Sequence, residues 1–343
     1  MSLVNLGVNT DSLGAWMRVQ GLGGGVIEDV TTLAGGTQNI LLRFVMDGRT
    51  FVFRRPPLHP RANSNETMRR EARVLRALAG SDVPHPALIA ACDDENVLGC
   101  AFYLMEPVDG FNPIGQLPEP HASSPAMRHA MGLALVDGIA ALGRVNYRAV
   151  GLEGFGKPEG FLDRQVSRWR DQLASYADFA AWPGADALPD VGAVGAWLDA
   201  HRPGSFIAGI MHGDYHLANV MYRRDSADLA AIVDWELATI GDPLLDLGWV
   251  LATWPDGDGA STVSVTPWDG FPTPAELIAR YRAGSARNLA AIDWYHVLAC
   301  YKLGILLEGT FARACAGKAP RDVGDRLHGR AIHLFERAAR LIR

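Results

Sequence analysis

Cysteine is scarce in this sequence, with four residues in a chain of 343. No two cysteines have C-x-x-C spacing, which removes the usual signal of a zinc ribbon or a thioredoxin-type motif. So few cysteines in a long chain are typical of proteins whose thiols stay reduced. The first residues also lack a basic stretch followed by an apolar one, so no secretory signal is indicated. We therefore expect a cytoplasmic protein.

Positive charge is not in excess either. The chain has 32 Lys and Arg against 38 Asp and Glu, a formal net charge of −6. Proteins that bind nucleic acid are normally basic, so we expect no nucleic-acid partner. No uninterrupted apolar run reaches the roughly 18 residues of a membrane-spanning helix, and we expect no membrane association. Apolar residues nevertheless make up 48% of the chain. At about 150 residues per domain, its length suggests two domains or lobes.

Common nucleotide-binding and hydrolase motifs are missing as well. The Gly-Lys pairs at 156–157 and 317–318 lack the Ser or Thr and the upstream glycine of a Walker A motif. Neither G-x-S-x-G nor H-E-x-x-H occurs, which argues against an esterase or a zinc protease. What remains is a two-part globular protein that acts on something small.

The first 105 residues are predicted to be rich in β-structure. Three strands, one helix and two strands are predicted at 30–33, 40–46, 50–54, 65–79, 88–91 and 97–105. Asp47-Gly48 marks a tight hairpin, because Gly readily takes the positive φ that such turns need. On the helix, Glu71 lies on or beside the buried apolar stripe. Glu71 therefore needs a partner, because an unpaired buried charge is costly.

The rest of the chain, after a connector at 106–110, is predicted to be mainly helical. Seven helices are predicted at 125–145, 160–176, 191–200, 243–254, 274–283, 290–316 and 323–341. One hairpin interrupts them, with strands at 218–222 and 229–235. We therefore expect an α+β fold with a small antiparallel β-rich unit at 1–105 and a larger helical unit at 111–343.

Three oxygen-bearing side chains are expected to meet at the mouth of this hairpin. Asp214 lies in a polar loop five residues before Asn219, which begins the first strand, and Asp234 lies near the end of the second. Antiparallel pairing brings these strand ends close together. Oxygen ligands suit Mg²⁺, which usually keeps waters and shares its coordination with phosphates. The remaining carboxylate can accept a proton from a hydroxyl group.

Three segments together resemble the aminoglycoside phosphotransferase (APH) family, which shares a kinase-like fold with choline kinase. They are His-Gly-Asp-x-x-x-x-Asn at 212–219, Ile-Val-Asp-Trp-Glu at 232–236 and Asp-Pro-Leu-x-Asp-Leu-Gly at 242–248. The arrangement is also similar to protein-kinase phosphoryl-transfer sites. Phe-Arg-Arg-Pro-Pro at 53–57 resembles a subgroup that also occurs fused to acyl-CoA dehydrogenases. The resemblance covers nearly the whole chain and implies a two-lobed protein kinase-like fold.

This resemblance implies a Mg²⁺-dependent small-molecule kinase that uses ATP or GTP. Asp214 would be the catalytic base or orient the acceptor hydroxyl, and Asn219 and Asp234 would hold Mg²⁺ against the phosphates. His212 and Asp246 would brace the catalytic loop. A hinge at 106–110 would hold the adenine, and backbone N–H groups of a loop at 34–39 would approach the phosphates. The residues implied in nucleotide binding are Gly35, Gly36, Thr37, Arg54, Glu71, Glu106 and Val108.

One position departs from the family pattern, because Arg54 stands where kinases have the phosphate-binding Lys. Arginine keeps the charge and a forked set of donors, so Arg54 can bind phosphate and pair with Glu71. It is longer and planar, so catalytic efficiency or nucleotide preference is expected to differ. The acceptor stays open between an aminoglycoside-like compound, a hydroxyacyl compound and another metabolite, and the oligomeric state also stays open.

Two other functions are kept as alternatives. Arg54 in place of Lys is the feature that favours a non-catalytic nucleotide-binding pseudokinase. A binuclear metallohydrolase is the second alternative, since its candidate ligands have the right chemistry. These ligands are His212, Asp214, His216 and Asp234. A metallohydrolase would, however, leave the Arg54–Glu71 pair and the spacing to Asn219 without a purpose.

Overall fold

The computed structural model describes residues 8–33, 39–60, 62–256 and 262–343. Its α-helices are α1 (Thr10–Val19), α2 (Ser64–Leu78), α3 (Pro125–Arg144), α4 (Asp163–Ala174), α5 (Val191–Ala200), α6 (Leu244–Thr253), α7 (Pro274–Gly284), α8 (Ile292–Cys315) and α9 (Arg321–Leu341). Its strands are β1 (Glu28–Thr32), β2 (Ile40–Met46), β3 (Arg49–Arg55), β4 (Leu88–Cys92), β5 (Phe102–Met105), β6 (Gly115–Gln116), β7 (Gly209–Met211), β8 (Val220–Tyr222), β9 (Leu229–Ile232), β10 (Thr239–Gly241) and β11 (Val265–Thr266).

A five-stranded antiparallel sheet forms the N-terminal part, in the order β1-β2-β3-β5-β4. Asp47 and Gly48 make the predicted turn between β2 and β3, with φ values of 51° and 75°. In the centre of the sheet, Arg54 on β3 is paired with Tyr103 on β5. Because directly paired residues point to the same face of a sheet, Arg54 and Tyr103 both project toward one side. That side faces α2.

The opposite face of the sheet packs against α1. Leu13 and Met17 of α1 join a buried cluster with Phe44, Phe51 and Phe53 from the strands. This second apolar layer follows from the strand alternation, because β3 buries residues on both of its faces. The sequence pattern did not predict α1, although the apolar outer face of the sheet requires a cover.

The C-terminal part is built around α8, which is buried along most of its 24 residues and packs against α6 and α9. Two short antiparallel pairs, β8 with β9 and β7 with β10, pack against α3 through β9 and β7. The β7–β10 pair joins Met211 to Thr239. It therefore holds together the start of the loop at 212–219 and the end of the segment at 233–238.

Most predicted elements are present, with differences in extent and number. The hairpin strands predicted at 218–222 and 229–235 are shorter, because 217–219 and 235–237 form 3-10 helices. The predicted strand at 97–105 begins only at Phe102, because residues 95–98 form a turn. The strands β6, β7, β10 and β11 were not predicted, since two or three residues are too few to show an alternating pattern. Within the described ranges, no helix has the length and apolar character needed to span a bilayer.

Candidate active site

The loop that follows β7 is anchored by Asp246 in the first turn of α6. Its buried carboxylate accepts hydrogen bonds from the backbone N–H of His212 at 2.7 Å and of Gly213 at 2.9 Å. Burial raises the pKa of Asp246 to about 6, against the opposing effect of these two donors and Lys302. Gly213 has a φ of +87°, and a Cβ there would lie 2.5 Å from the carbonyl oxygen of Leu237. Glycine is therefore required where the loop touches the segment after Asp234.

His212 is fully buried and connects two parts of the site. Its Nε2 lies 2.9 Å from the carbonyl oxygen of Val233, and its Nδ1 accepts a hydrogen bond from the N–H of Asp214 at 3.3 Å. The Nε2 atom is therefore the protonated nitrogen. Burial lowers the pKa of His212, so the ring is neutral. Because both ring nitrogens are engaged, His212 braces the loop and is not placed to bind a metal.

Asp214 is held by three neighbouring side chains. The indole Nε1 of Trp249 donates to Oδ1 at 2.9 Å, and Nδ2 of Asn219 donates to Oδ2 at 3.0 Å. His216 Nε2 lies 3.4 Å from Oδ1. Burial favours the neutral acid, but His216 and, to a smaller degree, His212 and Lys302 outweigh it and hold the pKa of Asp214 below its usual range. Asp214 is therefore a carboxylate at neutral pH, fixed in orientation and 31% exposed.

Asn219 and Asp234 lie just outside the strands of the β8–β9 hairpin, Asn219 directly before β8 and Asp234 two residues after β9, and not within them as predicted. The N–H of Val233 donates to the carbonyl oxygen of Asn219 at 2.9 Å and thereby ties the two segments together. The amide nitrogen of Asn219 is used by Asp214, which leaves the amide oxygen as the atom that can bind a cation. Asp234 has left-handed backbone angles, φ 65° and ψ 61°, and its side chain is 39% exposed. Such non-glycine residues cluster at functional sites.

Arg54 joins the sheet, α2 and Asp234. Its Nη2 lies 2.7 Å from Oδ1 of Asp234 and 3.3 Å from Oε1 of Glu71. The hydroxyl of Tyr103 donates to Oε2 of Glu71 at 2.8 Å. Burial raises the pKa of Glu71 to about 7, against the opposing effect of Arg54 and Tyr103. The partner expected for the buried Glu71 is therefore present, and it is the predicted Arg54.

Comparison with known proteins identifies the family to which this chain belongs. A family model described as the phosphotransferase enzyme family, APH, matches residues 29–295. The chain belongs to this phosphotransferase family. Among solved structures, one from Ralstonia eutropha that is provisionally assigned as an aminoglycoside phosphotransferase has 31% identity and a TM-score of 0.80. The match covers 97% of this chain and 98% of that one.

A second solved APH structure is the complex of APH(2″)-IIIa with GDP and kanamycin. It shares 17% identity with this chain, covers 92% of this chain and 94% of its own, and has a TM-score of 0.62. Together with the Ralstonia structure, it shows that the chain has the two-lobed, kinase-like APH fold.

Curated relatives of this chain are larger proteins. Human acyl-CoA dehydrogenase family member 11 is 31% identical over 278 residues, which cover 78% of this chain and 34% of that protein. Mouse acyl-CoA dehydrogenase family member 10 is 29% identical over 280 residues, covering 79% and 25%. The chain thus spans about a third or less of the length of these relatives.

The side chains of this site fit Mg²⁺ better than Zn²⁺. Within the described part of the chain, no three His, Cys, Asp or Glu side chains are grouped as a metal site. An ion held by the amide oxygen of Asn219 and the carboxylate of Asp234 would complete its coordination with water and phosphate oxygens, as Mg²⁺ commonly does. The ligand set considered for a metallohydrolase is not formed, because His212 is fully engaged.

The structure describes some of the residues predicted to bind nucleotide but not others. Those outside the described residues are Gly35, Gly36 and Thr37. Glu106 follows β5 directly, and its N–H donates to the carbonyl oxygen of Ala87 at 2.9 Å while its carboxylate pairs with Arg49. Its carbonyl group is therefore what Glu106 can offer to a nucleotide. The roles of Glu106 and Val108 stay predictions.

Two side chains of the site were not predicted to have a role there. The pattern indicates Trp249 as a core residue, and it is buried, but its N–H reaches Asp214. Lys302 of α8 lies 4.2 Å from the centroid of the Trp249 ring, and its Nζ donates to the carbonyl oxygen of Gly213 at 3.2 Å. Burial lowers the pKa of Lys302 to about 8, although Asp214 and Asp246 oppose this shift. Only the fold brings Lys302 beside a loop that is almost 90 residues earlier in the chain.

Proposed function

We propose that this phosphotransferase moves the γ-phosphoryl group of ATP or GTP to a hydroxyl group of a small molecule, with Mg²⁺ as cofactor. The observation that carries the proposal is the fixed Asp214 carboxylate, held by Trp249 and Asn219. The carbonyl oxygen of Asn219 in turn accepts from Val233, which directly precedes Asp234. The GDP complex of APH(2″)-IIIa supports nucleotide use by a protein of this fold.

In the proposed reaction, the acceptor hydroxyl oxygen forms a bond to the γ-phosphorus, and the bond to the β–γ bridging oxygen breaks. Asp214 accepts a hydrogen bond from the hydroxyl, orients its oxygen and takes up its proton. The low pKa of Asp214 makes it a weak base, so orientation is its larger contribution. Asn219 and Asp234 would hold Mg²⁺, which would supply positive charge to offset the charge of the phosphates.

Arg54 is proposed to exchange its contact with Asp234 for one with the phosphates when nucleotide binds, while its contact with Glu71 is kept. Its link to Asp234 leaves Oδ2 of that carboxylate available to a cation. We also propose that residues 106–110 are the hinge, between a nucleotide-binding lobe at 1–105 and a helical lobe at 111–343.

The test is Asp214→Asn, which keeps the shape of the side chain and removes its charge. We expect phosphoryl transfer to fall by at least about 100-fold, while nucleotide affinity, measured by calorimetry with Mg²⁺, changes little. The matched control is Asp225→Asn, the same substitution at an exposed residue in the turn after β8. Undiminished transfer by Asp214→Asn would contradict the mechanism.

The alternative is a pseudokinase, and the observation in its favour is that Arg54 binds Asp234 directly. In that case nucleotide binds, but no hydroxyl compound is phosphorylated. The acceptor panel should include aminoglycosides and macrolides, because solved neighbours are a kanamycin complex and a macrolide 2′-phosphotransferase. It should also include hydroxyacyl-CoA thioesters, since the sequence resembles a subgroup fused to acyl-CoA dehydrogenases and the curated relatives are acyl-CoA dehydrogenase family members. Nucleotide consumption matched by a phosphorylated product would exclude the pseudokinase.

A further inference from the structure

A groove of about 870 Å³ lies beside the proposed site and takes no part in the mechanism described so far. One wall is α4 and the other is the segment 236–239, which follows Asp234. The volume is within the range of pockets that hold small-molecule ligands. The second wall rests on the catalytic loop, since Gly213 packs against the carbonyl group of Leu237. This wall of the groove therefore adjoins the loop that carries Asp214.

The lining of this groove is rich in positive charge. Four cationic side chains line it, against the two acidic side chains of Asp171 and Glu236. The cations are Arg70, Lys157, Arg164 and Arg168. This local excess contrasts with the formal charge of −6 for the whole chain. Lysine is itself rare, with only Lys157, Lys302 and Lys318 in 343 residues, and one of the three lies in the groove.

The groove cations differ from neighbouring arginines in their partners. Arg170, also on α4, pairs with Asp199 at 2.6 Å, and Arg202 pairs with Asp163 at 3.0 Å. In the ranges that the structure describes, none of the four groove cations has a carboxylate oxygen within 4 Å. Arg164 and Arg70 donate instead to backbone carbonyl oxygens, which hold them in position without neutralising them. A concave surface with several unneutralised cations attracts anions.

A layer of alternating cations and indoles connects the groove to Asp214. The guanidinium of Arg168 lies 5.4 Å from the centroid of the Trp169 ring, and Lys302 Nζ lies 5.4 Å from the same centroid on the inner side. Lys302 then contacts Trp249, whose indole N–H donates to Asp214. Positive charge thus continues from the groove to the carboxylate that would receive the hydroxyl group.

We propose that this groove binds the acceptor through an anionic group, a phosphate or a carboxylate, that is separate from the hydroxyl group to be phosphorylated. The inference rests on the proposed phosphotransferase function and defines its substrate class. A polycation such as an aminoglycoside is disfavoured here, because it would bring like charges to Lys157, Arg164 and Arg168. The phosphoryl transfer itself is the reaction described above, with the nucleoside diphosphate as leaving group.

The test is the double variant Arg164→Gln with Arg168→Gln, compared with Arg170→Gln as a matched control on the same helix. The probes are a hydroxyacyl-CoA thioester, which carries phosphates, a free hydroxy acid, which carries only a carboxylate, and kanamycin. We expect KM for an anionic acceptor to rise about tenfold or more in the double variant, with kcat nearly unchanged. Arg170→Gln should behave as wild type, and Arg168→Lys should stay near wild type because it retains the charge.

Preference for the thioester over the acid identifies phosphate as the recognised group, and preference for the acid identifies the carboxylate.

Binding of coenzyme A and of the hydroxy acid, measured by calorimetry with and without nucleotide, separates this inference from the proposed function. Weaker binding in the double variant and at higher salt, without any phosphoryl transfer, would support the groove and contradict the proposed function. Transfer to kanamycin but to no anionic compound would support the function and overturn the inference. The groove proposal would also be overturned if neither anionic probe binds. It would likewise be overturned if the double variant loses as much affinity for nucleotide as for the anionic probe.

Discussion

Two charged clusters support the candidate site, and their charges are satisfied in different ways. In the first, on the sheet and α2, Arg54 has Glu71 and Asp234 as partners, and Glu71 has Arg54 and Tyr103. In the second, at the start of α6, Asp246 alone accepts the N–H groups of His212 and Gly213. The first cluster shares its charges among several side chains, whereas the second depends on one residue.

This difference indicates where the site tolerates change. When a buried group has two partners, removal of one leaves the other in place. When one carboxylate serves two buried backbone donors, its removal leaves both donors without an acceptor, and each then costs its desolvation penalty. We therefore expect the loop at 212–219 to be more sensitive to a single substitution than the Arg54 cluster.

The largest effect is expected for Asp246→Ala. It should lower the free energy of unfolding by roughly 3 kcal/mol, because two buried N–H groups lose their acceptor. It should also reduce phosphoryl transfer by about 100-fold, because Asp214 follows those groups directly and loses its position. Urea denaturation and steady-state kinetics measure the two effects. Asp246→Asn, which keeps one acceptor oxygen, is the matched control and should lose less stability. Wild-type stability of Asp246→Ala would contradict the single-anchor interpretation.

An intermediate effect is expected in the pH dependence of stability. Burial raises the pKa of Glu71 to about 7 in the folded state, compared with about 4.3 in an unfolded chain. The folded protein therefore binds a proton more tightly at Glu71. This contribution to stability is complete below about pH 4 and is lost as the pH rises through about 7.

The measurement is a comparison of wild type with Glu71→Gln, which cannot titrate. Between about pH 5 and pH 7.5, wild type should lose roughly 2.5 kcal/mol relative to the variant. Urea denaturation at several pH values shows this change. A difference that does not vary with pH would mean that Arg54 and Tyr103 fully offset the burial of Glu71.

The smallest effect is expected for Tyr103→Phe. The substitution removes the hydrogen bond to Oε2 of Glu71 but leaves Arg54 as the partner, so the free energy of unfolding should fall by about 1 kcal/mol. The control is Tyr147→Phe, because Tyr147 is also buried but lies outside the Arg54 cluster. A loss as large as that of Asp246→Ala would show that the first cluster is no more tolerant than the second.

Local sequence patterns were sufficient for several parts of this site. The Asp47-Gly48 turn fixes the register of β2 with β3, and strand alternation then places Arg54 on the face toward α2. Helical spacing places Glu71 on the inner side of α2 and predicts that it needs a partner, while the family resemblance supplied Arg54 as that partner. The spacing of Asp214 and Asn219 was also informative, because both lie in one short loop.

The remaining parts could not be predicted because they involve packing between distant segments. The helix α1 is short, and its role as a cover appears only when the outer face of the sheet is known. A tryptophan in an apolar helix is predicted to be a core residue, and nothing local to Trp249 indicates that its N–H reaches Asp214. The groove is likewise formed by α4 and a segment about 70 residues later.

Backbone preference and residue periodicity thus decide which chemical groups this chain carries and on which face of a strand or helix each group lies. Their assembly into a site depends on long-range packing. The α8 helix presents Lys302 to Gly213, and α4 places its arginines opposite segment 236–239. Periodicity acts over a few residues, whereas the charge around Asp214 is set by groups that only the tertiary fold brings within a few ångströms.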